Sequence, residues 1–315
     1  MTLKKIAKMA NVSVSTVSRA LNNSHDISEE TKALVMRIAG QIGYFAEKKR
    51  TKMDNRSKNT ANIAILCPEI ISQFYSGIAQ ELVGEFKNRN CRCLIYNCDF
   101  DEPELEKHLE KCINDPDIDA VICLFDVKKS YAHPRVPVVA LSNESPCSCM
   151  IINMQEELGQ VVAYFKGQGI KNVAFAGEPN TIRKGETFSN LCREANINCS
   201  CFVSDKRFDG AGEQAAEFFL KNGMPQAVLC AYDEIALGLI SSFNKAGVKV
   251  PESVRVIGID DIPTARYCFG GLSTIYYDFK GICPTVARDV LTDIRTGTPI
   301  KRQYQVKREL IIRNT

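Results

Sequence analysis

Residues 11–23 read NVSVSTVSRALNN, and the chain around them decides the fold of its N-terminal end. Small hydroxyl residues are poor core formers and mediocre helix formers. Their concentration on one short segment points their side chains at something other than the protein's own interior. Upstream, Leu3, Ile6, Ala7 and Ala10 recur at helical spacing and predict a helix over 3–10. Asn11 suits a left-handed turn position. Ser13 is a good N-cap for a second helix over 14–21 that turns Val17, Ala20 and Leu21 inward. Two short helices joined by a tight turn make a helix-turn-helix. Downstream, Ser28 caps a third helix with Glu29 and Glu30 in its positive first turn, Ala33, Leu34, Ile38 and Ile42 as its inward stripe, and Gly43 as its stop. Three helices then close a small all-α head over residues 1–44.

If the second helix lies in a DNA major groove, Val14, Ser15 and Arg19 face base edges, while Ser13, Thr16, Ser18 and Asn22 bond phosphates. Arginine forks onto guanine O6 and N7, and valine meets a thymine methyl. The bland alternative leaves Arg19 a surface charge and the hydroxyls as caps. Charge favours the first reading. Residues 1–58 carry twelve Lys/Arg against five Asp/Glu, a net of +7 that leaves −4 for the rest of a chain whose total is +3. A basic head on a mildly acidic body is the footprint of a polyanion-binding module, although a merely solvated basic face would carry the same count.

At 315 residues, 45% hydrophobic and 24% charged, the chain has ordinary globular composition and room for about two domains. No run approaches the roughly 18 apolar residues of a membrane helix, and MTLKKIAKMA lacks the apolar segment of a secretory signal. The expectation is a cytoplasmic protein with no membrane association. Fourteen cysteines are present without a single C-x-x-C. The C-x-C pairs Cys91/Cys93, Cys147/Cys149 and Cys199/Cys201 leave metal binding or redox sensing open beside inert burial, but three scattered histidines complete no finger-like ligand set. No metal and no cofactor is expected.

Residues 45–60 are polar, basic and without apolar periodicity, and read as a linker. Beyond them, over 61–315, NIAILC, CRCLIYNC, IDAVICLF, VPVVAL, NVAFAG, AVLCAY and VRVIGI are short β-rich runs, and helical stretches such as Ile78 to Phe86 and Glu102 to Ile113 lie between most of them. That alternation predicts doubly wound α/β architecture with parallel sheets. So many strands divide better between two lobes than into one sheet. Such folds bind small ligands at the carboxyl ends of their strands, in the cleft.

The stretch LKKIAKMANVSVSTVSRALNN followed by ISEETKALVMRIAGQIGY, together with VPESVRVIGIDDIP, GGLSTIYYDF and the closing LIIRNT, resembles the lactose/galactose repressor (LacI/GalR) family over essentially the whole chain. The resemblance implies a sequence-specific transcriptional regulator, most often a repressor. It implies a homodimer on a near-palindromic double-stranded DNA operator, a body similar to periplasmic sugar-binding proteins, and a sugar or sugar-like effector between the lobes. It also implies lobe boundaries of about 61–144 with 276–298 and about 145–275 with 299–315. Several positions depart from the family pattern. Ala46, Glu47 and Arg50 replace the proline, asparagine and alanine of the usual hinge helix, and Met53 falls where a leucine wedges into the minor groove, leaving wedge and phosphate contact as equal readings. ISQFY keeps the aromatics Phe74 and Tyr75 of a cleft stretch. Lys184 aligns with a ligand-forking arginine for which Arg183 could substitute, Tyr232 replaces an asparagine beside Asp233, and Asp260 is the hydroxyl acceptor of an acidic pair with Asp261. Core packing for Phe74, a helix cap for Asp233 and a turn role for Asp260 are the structural alternatives. Because lysine is not an equivalent fork, a simple free hexose fits this cleft poorly.

Other classes compete. The body alone would suit a transport-type binding protein, which the head and the lack of an export signal oppose. A doubly wound enzyme would need a motif such as G-x-G-x-x-G, G-x-x-x-x-G-K-[ST], H-E-x-x-H or G-x-S-x-G, and none occurs. No catalytic residue is assigned. A regulator tuned by a protein partner instead of a small molecule remains a third reading.

Overall fold

The computed structural model describes residues 3–21, 26–42, 44, 60–128 and 136–315. In the head, α1 (Leu3–Ala10), α2 (Val14–Leu21) and α3 (Glu29–Gln41) enclose Ile6, Val17, Val35, Ala39 and Tyr44. Asn11 adopts φ +52° in the turn, and the Val12 N–H donates to the Ala7 carbonyl at 3.1 Å. Ser13 and Ser28 both cap: their Oγ atoms accept the backbone N–H of Thr16 at 3.0 Å and of Thr31 at 3.3 Å. The inward stripe of α3 differs from the sequence reading. Ala33 is exposed, while Val35 and Ala39 are fully buried beside Ile38. At about 100° per residue Ala33 lies on the far side of the helix from Val35, so the caps and the partner helices, not the apolar count, set the rotation. Gly43, Asn22 and nearly all of the predicted linker, Met53 included, lie outside the described residues.

The body contains two parallel sheets. The first has six strands in the order β11-β5-β4-β3-β1-β2, where β1 is Asn62–Cys67, β2 Arg92–Asn97, β3 Ala120–Cys123, β4 Val138–Leu141, β5 Ser148–Ile151 and β11 Gln303–Gln305. The second has four, β7-β6-β8-β9, from β6 (Asn172–Gly177), β7 (Asn198–Val203), β8 (Ala227–Cys230) and β9 (Arg255–Ile257). Helices α4 (Gln73–Lys87), α5 (Glu102–Asn114), α6 (Met154–Gly167), α7 (Ile182–Glu194), α8 (Phe208–Asn222), α9 (Asp233–Lys245) and α10 (Phe279–Thr296) cover them. Central strands β1, β3, β6 and β8 are buried on both faces and are therefore near-continuous apolar runs. Edge strands β2 and β7 mix exposed and half-buried residues; β2 still carries the apolar run Cys93–Tyr96, whereas NCSCFV in β7 is interrupted by Ser200 and does not stand out as a strand. An antiparallel pair, β10 (Thr274–Tyr277) with β12 (Arg308–Ile311), is the exception to parallel pairing.

The lobe boundaries shift from those read in the sequence. Strand β5, expected in the second lobe, pairs with β4, and β11, also expected there, pairs with β5. Both strands complete the first sheet because parallel pairing buries their apolar residues Cys149, Met150 and Tyr304. The chain consequently passes between lobes three times, near 152–153, 278 and 306–307. Among the described residues no helix is long and apolar enough to cross a membrane.

Candidate functional site

On α2 the outward face is polar. Val14 is 40% exposed, and Ser15 and Arg19 are exposed beside it. Thr16 and Ser18 flank this face half-buried. Ser13 bonds the Ser15 and Thr16 hydroxyls at 2.7 and 2.8 Å, so it organises the first turn as well as capping it. The Arg19 guanidinium meets Asp26 at 2.6 Å, with both side chains half exposed. A pair so exposed contributes little to stability. The guanidinium therefore stays accessible on the exposed face of α2.

In the body a cleft of about 680 Å³ opens where the carboxyl ends of the two sheets face each other. Loops following β1, β2, β3 and β4 line one side, and loops following β6, β7, β8 and β9 line the other, as a doubly wound fold requires. Phe74, Tyr75, Arg183, Lys184, Tyr232 and Asp260 all line it. Phe74 is the second residue of α4, whose N-cap Ser72 accepts the Phe74 N–H at 3.2 Å. Its ring packs edge-on against Tyr75, Tyr277 and Phe279 at 5.1, 6.0 and 5.8 Å. Phe74 thus serves both core and cleft wall, presenting a partly apolar surface that suits a ring.

Lys184 donates to the Ala231 carbonyl at 2.7 Å and faces the carboxylates of Asp260 and Glu157. Burial pushes both carboxyls up, Asp260 well above its ordinary value, and the Lys184 charge opposes that rise. Glu157 is tied by the Tyr277 hydroxyl at 2.5 Å. Asp260 sits at φ +113°, a backbone conformation side chains rarely adopt, and that strain is located where the chain turns its carboxylate into the cleft. The acidic pair divides: Asp261 turns away to Arg266 and Arg313 at 3.0 and 2.6 Å.

Asp233 is the correction. It is fully buried behind the cleft wall, and its Oδ2 accepts the Ile262 N–H at 2.9 Å while Oδ1 accepts the Thr274 hydroxyl at 2.6 Å. At the first position of α9 its carboxylate ties that helix to β10 and touches no cleft volume. Burial pushes its carboxyl up to about 8, although the two donors pull it back. Its unfolded value is near 3.9, so the buried group stabilises most when protonated in both states, and that contribution fades as pH rises toward the folded value. Relative to Asp233→Asn, the native chain is expected to lose a few kcal/mol of unfolding free energy between pH 5 and pH 8. Urea titrations of both proteins at the two pH values measure this; a pH-independent difference between them would refute it.

The sequence reading missed the residue at the cleft centre. Arg207, just after β7, donates from Nη1 and Nη2 to the two Glu69 oxygens at 2.7 and 2.9 Å, and from Nε to the two Glu178 oxygens at 3.0 and 3.2 Å. Its Cζ lies 4.7 Å from the Phe208 ring centroid and 5.4 Å from that of Phe100. Tyr232 braces this turn, its hydroxyl accepting the Phe208 N–H at 3.1 Å while Phe208 holds φ +53°. Glu69 and Glu178 stand two and one residues beyond strand ends. That position was the available signal, since such residues face the cleft.

The cysteines are free and mostly buried. Burial pushes Cys67 and Cys93 up to about 11, against the thiolate form that redox or metal chemistry uses. No metal-holding group of His, Cys, Asp and Glu exists among the described residues.

Fold and cleft together define a two-lobed ligand-binding body carrying a helix-turn-helix head. Comparison with known proteins agrees. Residues 2–47 match the lacI family of bacterial regulatory proteins, and residues 162–315 match the periplasmic binding protein-like domain. The chain is 24% identical to the HTH-type transcriptional regulator DegA of Bacillus subtilis, over all of this chain and 97% of that one. A lac repressor dimer bound to operator and the anti-inducer ONPF superposes with a TM-score of 0.70 at 20% identity, covering 100% of this chain and 98% of that chain. A LacI family transcriptional regulator of Arthrobacter sp. FB24 in complex with lactose gives 0.69 at 20% identity over 81% of this chain and 98% of that chain. The chain thus carries the DNA-binding domain of the lacI family of bacterial regulatory proteins and a periplasmic binding protein-like domain.

Proposed function

We propose that this chain is a cytoplasmic repressor that binds a near-palindromic operator as a homodimer, with affinity controlled by a sugar or sugar-like molecule between the lobes. The cleft carries the reading: it pairs the aromatic surface of Phe74 and Tyr75 with the hydroxyl-accepting carboxylate of Asp260, the combination that fits a polyhydroxylated ring. The lactose complex of the Arthrobacter relative supports the ligand class. Arg183, Lys184 and Tyr232 complete the effector set, and Asp233 leaves it. On the DNA side Val14, Ser15 and Arg19 read bases, while Ser13, Thr16, Ser18 and Asn22 contact phosphates; Met53 contacts DNA as a wedge or through the backbone. Effector binding favours one closure angle, which changes how two heads are spaced on adjacent half-sites. No step in this scheme is catalytic, and none uses a cofactor.

Selection from random duplex DNA with purified protein, repeated with sugars, sugar phosphates and nucleobases, tests it. A palindrome whose enrichment changes with one compound supports the proposal. A palindrome indifferent to every compound moves control to a protein partner, and no palindrome removes base reading by α2.

A further inference from the structure

We infer that Arg207 is a built-in occupant of the cleft, a clasp that holds the two lobes together and that an effector must displace by offering its own hydrogen-bond donors to Glu69 and Glu178. This rests on the reading of the cleft as an effector site. Glu69 follows β1 in the first lobe, whereas Arg207 and Glu178 belong to the second. One guanidinium therefore spans the gap. Its fork engages both oxygens of Glu69 across the cleft, and Nε engages Glu178 on its own side. The ring contacts divide the same way, Phe100 from the first lobe and Phe208 from the second. Planar, ringed on two sides and bonded at both edges, the guanidinium has the surroundings of a bound ligand.

The seat is specified by its neighbours. Glu69 and Glu178 are 10% and 2% exposed at their side chains while Arg207 is 37% exposed, so the carboxylates are sheltered and the guanidinium still meets water, as a displaceable occupant must. Arg207 stands at the N-cap of α8, where the helix dipole disfavours a cation; the two carboxylates offset that. Phe208 in the left-handed region costs about 1 kcal/mol or more and is held there by Tyr232. A purely structural ion pair would need neither the passage across the cleft nor the strained turn.

Displacement fixes the ligand's chemistry. Once Arg207 swings out, Glu69 and Glu178 face the incoming molecule with Glu157 and Asp260 behind them, and Lys184 is already tied to the Ala231 carbonyl. A polyol or an amine satisfies these acceptors. A phosphate or carboxylate meets like charge at Glu69 and Glu178, which Arg183 in the cleft wall offsets only in part, so polyols and amines are preferred over sugar phosphates and sugar acids.

Hydrogen exchange on the full-length protein reads the clasp directly. Exchange over residues 68–76 and 204–210 is expected to be about tenfold faster in Glu69→Gln and Arg207→Ala, the loss of a charge-assisted contact, with β1 and β6 as protected as in the native chain. Millimolar ethylguanidinium is expected to restore protection in Arg207→Ala and to leave the native protein unchanged. Unaltered exchange in both variants overturns the clasp. Faster exchange that ethylguanidinium does not reverse overturns the displaceable seat. Should either variant lose protection in β1 and β6 as well, Arg207→Lys, which keeps the charge and loses the fork, decides: native-like exchange overturns the clasp and faster exchange supports it. A failed effector search would leave these exchange results standing, and a failed clasp would leave the effector reading standing.

Discussion

Arg19→Ala is expected to weaken operator binding by roughly 1–3 kcal/mol for each half-site while barely changing affinity for unrelated duplex. The asymmetry follows from what an arginine does in each setting. On unrelated sequence it is one positive charge among the twelve of residues 1–58, and such charges act on phosphates without regard to base order. In the proposed base reading its fork would match a guanine edge on the operator, and alanine would leave those acceptors unpaired. The Asp26 pair is not a serious competitor, since both partners are half exposed and breaking such a pair costs roughly 1 kcal/mol or less. Asp26→Ala should accordingly leave discrimination intact. Fluorescence anisotropy at fixed salt on the selected operator and on a scrambled duplex measures both quantities; equal losses on the two would show that Arg19 only supplies charge.

The largest expected loss of folding stability lies at the crossing of α8 and α9. A Cβ on Gly212 would stand 2.1 Å from the Ile235 carbonyl oxygen and 2.4 Å from the Leu239 nitrogen, and one on Gly238 would stand 2.2 Å from the Asp209 carbonyl oxygen. These neighbours are backbone atoms of the facing helix and cannot rotate away. Gly212→Ala should therefore cost roughly 3 kcal/mol by forcing the helices apart. The same substitution at Gly84, inside α4, meets nothing within 4 Å and should stabilise by roughly 1 kcal/mol, the ordinary propensity gain. Both glycines are helical, so opposite signs in urea unfolding would isolate packing from propensity. Equal signs would refute the close crossing.

The head was legible because its turn, caps and charge all reinforce one another locally: Asn11, Ser13 and Ser28 each do in the structure what their residue type favours. Central strands were legible for the same reason, as apolar runs buried on both faces. Edge strand β7 and the short β5, β11 and β12 were not, because their identity comes from a partner far away in sequence, as in the pairing of Tyr304 with Met150. The cleft divides along the same line. Phe74, Lys184 and Asp260 could be assigned from a resemblance, whereas Arg207 belongs to no motif and acquires meaning only when β1, β6 and β7 bring Glu69 and Glu178 to it. Asp233 shows the reverse error, a polar residue in a suggestive position that the fold spends on joining α9 to β10.

Three passages of the chain between the lobes also bear on how such a protein can be altered by recombination. Neither lobe is a continuous stretch of sequence, so no single cut or splice exchanges one lobe and leaves the other whole; a crossover inside 154–277 divides a sheet or separates it from its partner segments. The head is attached at one place only. Operator preference is thus the portable half of this protein, transferable by one junction, whereas effector preference moves only with the entire body.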